Sequence, residues 1–243
     1  SRTLIHKGSD GVHVPGTFAG QDELLGLAAG LAAGGGGVFQ MTSNHEDMAD
    51  ELVWMRDVAR DTGCTVSFNL HQTDVAPKLW KRMLSLLEET QAEGLPVYAQ
   101  VAGRPPGILM CLEGTAVPLL NTVSYLNLHF LPHEQKVEKL RDPEIQAAIC
   151  ADEALSIGQF EDFILNSFDR MYRLGSEPDY EPHPSTSAAA IAKERGCHPR
   201  QVVIEWLLEN DGRGVIYFPI FCYTDGDMEV SRQLLDHPGT VVG

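Results

Sequence analysis

Residues 37–71 read GVFQMTSNHEDMADELVWMRDVARDTGCTVSFNLH, and this stretch sets the fold class. GVFQMTS is a short apolar run behind a glycine cluster, Gly34 to Gly37. Beyond it, Met48, Leu52, Met55 and Ala59 step by four, three and four, which is one face of a helix. The spacing predicts a helix that starts near Asn44 and stops at Gly63. CTVSFNL is then a second strand, and His71 closes it.

The pattern continues on both sides. Leu79, Trp80, Met83, Leu84 and Leu87 mark another amphipathic helix, ended at Gly94, and PVYAQVAG (96–103) is a third strand. A helix over Asp22 to Ala33 precedes the glycine cluster. Strand, helix, strand, helix, strand with short turns predicts βαβ units and a parallel sheet. The strands are continuous apolar runs, so both faces of the sheet are expected to be buried. Chemistry in such folds lies at the C-terminal ends of the strands. That rule places Gln40, Thr42, His71, Gln72, Gln100 and Arg104 on a functional rim.

The alternation breaks at about residues 105–185, where Pro105, Pro106, Pro118, Pro132, Pro143, Pro178, Pro182 and Pro184 fall. A helix is expected at 143–156, capped by Asp142 with Pro143 in its first turn, and FILNSF (163–168) reads as a strand. An insertion this long is expected to be functional or covering. Order returns with helices in STSAAAIAKERG and HPRQVVIEWLLENDG, a strand in GVIYFPIF (214–221), a helix in DMEVSRQLLDH and a strand in TVVG. Roughly six strands are fewer than the eight of a closed barrel. The expectation is an α/β chain that is the central part, residues 1–243, of a larger barrel.

Composition narrows the partners. Among 243 residues, 18 are basic and 34 acidic, for a net charge of −16. No Lys/Arg cluster supplies the basic face that a nucleic-acid binder needs, and an anionic membrane surface is no better matched. No run approaches the roughly 20 apolar residues of a membrane span. Cys64, Cys111, Cys150, Cys197 and Cys222 are scattered and odd in number, with no C-x-x-C. Reduced thiols and a cytoplasmic location are expected.

The motifs leave alternatives open. The glycine cluster lies between helix and strand, the reverse of a phosphate loop, and reads as a helix-ending turn. Nine histidines include no H-x-H and no H-E-x-x-H, so a zinc site would need distant residues gathered at strand ends. His6 and His71, each closing an apolar run, are best placed, although position alone fits a strand-ending polar residue as well. No G-x-S-x-G elbow occurs, which removes a serine α/β-hydrolase. Arg104, in AGRPPG, can clamp a carboxylate or form a surface pair. Asp179 and Glu181, in PDYEPHP, are acid/base candidates or solvent-facing loop groups.

Taken in order, SRT, PGTFAGQDELLGLA, GGGVFQ, QVAGRPPG, LRDPEIQAAI, RMYRLGSEPDYEP, IAKERG and LLDHPGTVVG resemble the D-aminoacylase, or N-acyl-D-amino-acid deacylase, branch of the amidohydrolase superfamily. The resemblance runs along essentially the whole chain. It implies a (β/α)8 TIM barrel of amidohydrolase type, incomplete in this chain, with flanking strands and a small β-sandwich domain outside it. It also implies hydrolysis of an N-acyl amino acid or related small-molecule amide, with zinc or another divalent metal activating water. Carried over residue by residue, the family's H-x-H would lie before Ser1 and its aspartate after Gly243. Of its two later histidines, His71 matches the second, as metal ligand or, without metal, as general base or donor. The first falls near Thr42 or Gln40, where no histidine stands; the nearest, His45, is several residues past the strand end. Gln40, Gln72, Gln100 and Arg104 would surround the substrate. The rival expectation is a non-catalytic or metal-free barrel acting as a binding or assembly subunit. A homo-oligomer stays open among the partners, and apolar surface at the chain ends is expected to need a cover.

Overall fold

The computed structural model describes residues 1–44 and 47–243. It divides into two compact units. The first comprises Ser1–Pro105, Phe221–Thr224 and Met228–Gly243, and the second Pro106–Ile220 and Asp225–Asp227.

In the first unit, α1 (Gln21–Ala33) precedes β1 (Val38–Met41), α2 (Met48–Thr62), β2 (Thr65–Asn69), α3 (Leu79–Ala92) and β3 (Val97–Val101). The alternation seen in the sequence is therefore present. Gly63 ends α2 with φ 67, a left-handed value that favours glycine, and its N–H bonds Ala59 O at 3.0 Å. The three strands pair in parallel with β7 (Thr240–Val242), in the order β1-β2-β3-β7. In register, Phe39 meets Val66 and Met41 meets Phe68, while Val66 meets Val97 and Phe68 meets Ala99.

Burial in this sheet departs from the expectation of two covered faces. Val66, Phe68, Val97 and Ala99 are fully buried. Leu52, Met55 and Val58 of α2 and Trp80, Met83 and Leu87 of α3 join them in one core. The alternate residues line the other face: on β1 and β3 Val38 is 60% exposed and Tyr98 36%, with Gln40 also exposed, whereas Ser67 on the central β2 is buried. Gln40, Ser67 and Tyr98 stand in one register row, and Asn69 meets Gln100 in the next. The runs look continuously apolar because Val, Phe and Ala recur, but the polar residues among them keep a period of two.

The second unit holds β4 (Gly107–Met110), α4 (Val123–His129), α5 (His133–Leu140), α6 (Pro143–Ala151), α7 (Gln159–Asn166), β5 (Tyr172–Leu174), α8 (Ala188–Arg195), α9 (Pro199–Leu207), a short turn α10 (Glu209–Gly212) and β6 (Val215–Pro219). Its sheet is antiparallel, ordered β4-β6-β5. Among the described residues the parallel sheet thus has four strands rather than the roughly six counted from the sequence, and GVIYFPIF contributes to the antiparallel one. FILNSF is not a strand: its first four residues close α7 and Phe168 begins a 3-10 turn; Phe160, Phe163 and Ile164 repeat at helical spacing, and Asp162 accepts Ile157 N–H at 2.9 Å near the helix start. β4 and β5 are short strands the sequence did not announce, held by pairing with the buried residues Ile216, Tyr217 and Phe218. Gly107 must be glycine, because a Cβ there would come within 2.1 Å of the Tyr217 ring. The expected caps are present: Asp142 accepts Glu144 N–H at 2.9 Å, and Ser187 accepts Ala190 N–H at 3.2 Å. The last helix, α11 (Glu229–Asp236), returns to the first unit. No helix among the described residues is long and apolar enough to cross a membrane.

The one-sided burial gives a direct test. Phe68→Ala is expected to cost about 3–5 kcal/mol in urea unfolding. Tyr98→Ala, on the open face of the same sheet, is expected to cost less than about 1 kcal/mol. Equal losses would show that both faces are packed.

Candidate functional site

The C-terminal ends of β1, β2 and β3 place most of the rim residues together. Gln40 and Gln100 share the open face, and Gln40 Nε2 donates to Gln100 Oε1 across β2. At the next level, Thr42 Oγ1 donates to Asn69 Oδ1 at 3.2 Å. Gly243 lies against the Gln100 amide so closely that a Cβ there would fall 1.7 Å from Nε2.

His71 follows the end of β2 and is half-buried. Its ring stacks on Phe221, centroids 5.2 Å apart and planes only 3° from parallel. The nitrogen lone pairs and N–H bonds of an imidazole lie in the ring plane. A group meeting His71 must therefore approach edge-on, along a plane parallel to the Phe221 ring.

Gln72 is 2% exposed and serves as a wall. Its Oε1 accepts Thr224 N–H at 3.3 Å, and its Nε2 reaches Pro77 O at 3.5 Å. Its backbone N–H points at Cys222 Sγ at 3.4 Å, while Cys222 N–H donates to Gln72 O at 3.0 Å. The segment Phe221–Thr224 thus clamps the His71–Gln72 pair. Cys222 takes φ 58, a left-handed value unusual for a residue with a Cβ. Burial pushes its thiol up to about 11, against a smaller opposing effect from the Gln72 N–H. Arg104 is exposed, three residues past β3, with a contact from Nη1 to Pro105 O at 3.5 Å.

A second network braces the end of β1. Arg2 N–H donates to Thr42 O at 2.8 Å, and its guanidinium pairs with Glu51. The other Glu51 oxygen accepts from Ser43 Oγ. Glu51 is only 7% exposed, so its charge is buried but matched. Arg2, Ser43, Glu51, Phe221 and Cys222 were not singled out from the sequence. Phe221 and Cys222 sit far from His71 along the chain, and only the fold brings them together.

Zinc or another divalent ion needs three or more donors converging. Among the described residues no three His, Cys, Asp or Glu groups come together in that way. His45 lies outside the described residues. The rim at β1 presents amide and hydroxyl groups, which do not fit zinc. The described residues therefore do not make up a metal site by themselves.

No protein-family model and no curated protein sequence matches the chain. Several solved structures do, and they are from the group that the motifs resemble. One is an N-acyl-D-glutamate deacylase from Bordetella bronchiseptica, complexed with zinc and a phosphonate inhibitor, at 20% identity and TM-score 0.41 over 94% of this chain. A D-aminoacylase studied for its binuclear metal center has 17% identity and TM-score 0.43 over 95%. A D-aminoacylase described as defining a novel subset of amidohydrolases has 17% identity and TM-score 0.41 over 95%. The chain spans 36% of the length of each of these structures. Likeness of this extent leaves the functional reading to this chain's own residues.

The buried thiol makes a pH prediction. The unfolded state gives up the Cys222 proton near the ordinary thiol value, while the folded state holds it to about 11. The folded protein then binds more protons in that window, so stability falls as pH rises. From pH 9 to 10 the expected loss is about 1 kcal/mol. Denaturant unfolding should show this loss in the native chain and not in Cys222→Ala.

Proposed function

We propose that this chain is the central part of an amidohydrolase-type (β/α)8 barrel that hydrolyses an N-acyl amino acid or a related small amide, with residues 105–185 as an elaborated insertion. The observation that supports it is the gathering of Gln40, Thr42, Asn69, His71 and Gln100 at the C-terminal edge of one parallel sheet. In this reading the amides of Gln40 and Gln100 bind the carbonyl and N–H of the scissile group. His71 accepts or donates the proton, its plane fixed by Phe221. Gln72 holds the backbone beside His71 rather than touching substrate. Arg104 takes the substrate carboxylate in a forked contact. A divalent metal enters this reading only with donors beyond those that the described residues gather, and His71 would then be one of its ligands.

A second reading is a metal-free barrel that binds such a ligand or assembles with other subunits without cleaving it. It draws on the amide and hydroxyl character of the rim and on the absence of three converging donors among the described residues. Fold alone does not choose between them.

The two separate in one experiment on the full-length protein. Hydrolysis of a panel of N-acyl amino acids should occur, and His71→Ala should lower kcat/KM by about 10²–10⁴-fold. Metal analysis of both proteins reports whether His71 is a ligand. Saturable binding of the panel without any cleavage would establish the second reading and overturn the first. Hydrolysis undiminished in His71→Ala would remove His71 from the site.

A further inference from the structure

Arg200 is 4% exposed, near the start of α9 in the second unit. Its Nη1 donates to Ile149 O at 3.0 Å and to Asp152 O at 2.6 Å, the carbonyls at the end of α6. The cation suits the negative end of that helix. Its Nε is buried without an acceptor among the described residues. These two bonds bracket Cys150, which lies between the two accepting residues. Three residues before Arg200 stands Cys197, in the turn between α8 and α9, with its N–H on Ala192 O at 3.0 Å. One buried side chain thus ties together the two short segments that carry these cysteines.

We propose that Cys150 and Cys197 form a dithiol that a hydroperoxide converts into a reversible disulfide, joining the end of α6 to the turn between α8 and α9. Both residues are half-buried, with some surface open to a small oxidant, whereas Cys64 and Cys222 are buried. The Cys150 thiol feels the charges of both Arg200 and Cys197. Burial, the largest influence, raises its proton affinity, and Arg200 opposes that rise. The chemistry balances. One thiolate attacks a peroxide oxygen, the O–O bond breaks, and a sulfenic acid forms with release of water. The second thiolate attacks that sulfur, the S–S bond forms, and the S–O bond breaks with release of a second water. Two thiols and one hydrogen peroxide give one disulfide and two waters.

The cross-link bridges segments distant along the chain, so it should raise the unfolding temperature. The test treats the native full-length protein with hydrogen peroxide, blocks remaining thiols with iodoacetamide, and digests it without reduction. Mass spectrometry is expected to find the Cys150 and Cys197 peptides joined, two hydrogens lighter than their sum, and separated again by dithiothreitol. In Cys197→Ser, Cys150 is expected to carry oxygen instead of a cross-link. The same treatment in urea should scatter the pairing among all five cysteines. Recovery of Cys150 and Cys197 as separately alkylated or oxygenated residues in the native protein overturns the proposal. So does a native pairing pattern equal to that in urea.

Discussion

Val66, Phe68, Val97 and Ala99 are covered on one side of the β1-β2-β3-β7 sheet, and the placement of everything else in the first unit depends on that contact. A strand alternates its side chains, so fixing Phe68 inward fixes Ser67 and Asn69 on the opposite face. Parallel register then carries the choice sideways. Gln40, Ser67 and Tyr98 fall in line because Met41, Phe68 and Ala99 do. A slip of one residue in any strand would turn amides into the core and phenylalanine out of it. The polar open face is the necessary complement of the apolar one.

That geometry also explains how His71 reaches the edge of the sheet. The strand delivers it to the edge of the sheet, but orientation comes from elsewhere. Phe221 supplies a flat surface for the ring, and Cys222 and Thr224 bond the Gln72 main chain and side chain on either side. The left-handed backbone at Cys222 lets its N–H meet Gln72 O while its sulfur faces Gln72 N–H. Strain of this kind persists where surrounding contacts hold it in place. The brace at β1 is analogous: Glu51 joins Arg2 and Ser43, and Arg2 N–H holds Thr42 O.

Much of the first unit was legible because its signals are local. Met48, Leu52, Met55 and Ala59 declare a helix by spacing, and Gly63 and Gly94 declare stops. Burial of both sheet faces holds at Ser67 of β2 but fails at Val38, Gln40 and Tyr98 of β1 and β3, where Val, Phe and Ala at inward positions masked the alternate residues. The second unit was less legible. β4 and β5 have only four and three residues, and they exist through pairing with β6, which the sequence does not encode locally. FILNSF misled because Phe and Ile favour strands, while the helical period needs Phe160 upstream to be seen. The contacts of His71 and Gln72 with Phe221–Thr224 were invisible for the same reason: they join positions far apart in the chain.

The chemistry at the rim follows from which groups can change charge there. Carboxamides donate and accept hydrogen bonds but neither take nor release a proton near neutral pH, so Gln40 and Gln100 can orient an amide without driving its cleavage. Among the described rim groups at the ends of β1, β2 and β3, the imidazole of His71 is the one suited to proton transfer. In the proposed hydrolysis, its stacking on Phe221 would confine that transfer to the plane of the ring. A substrate held by the two glutamines would have to bring its reacting atom to the edge of that plane. The parallel stack, rather than the mere presence of a histidine at a strand end, is what gives the imidazole at position 71 a defined plane of approach.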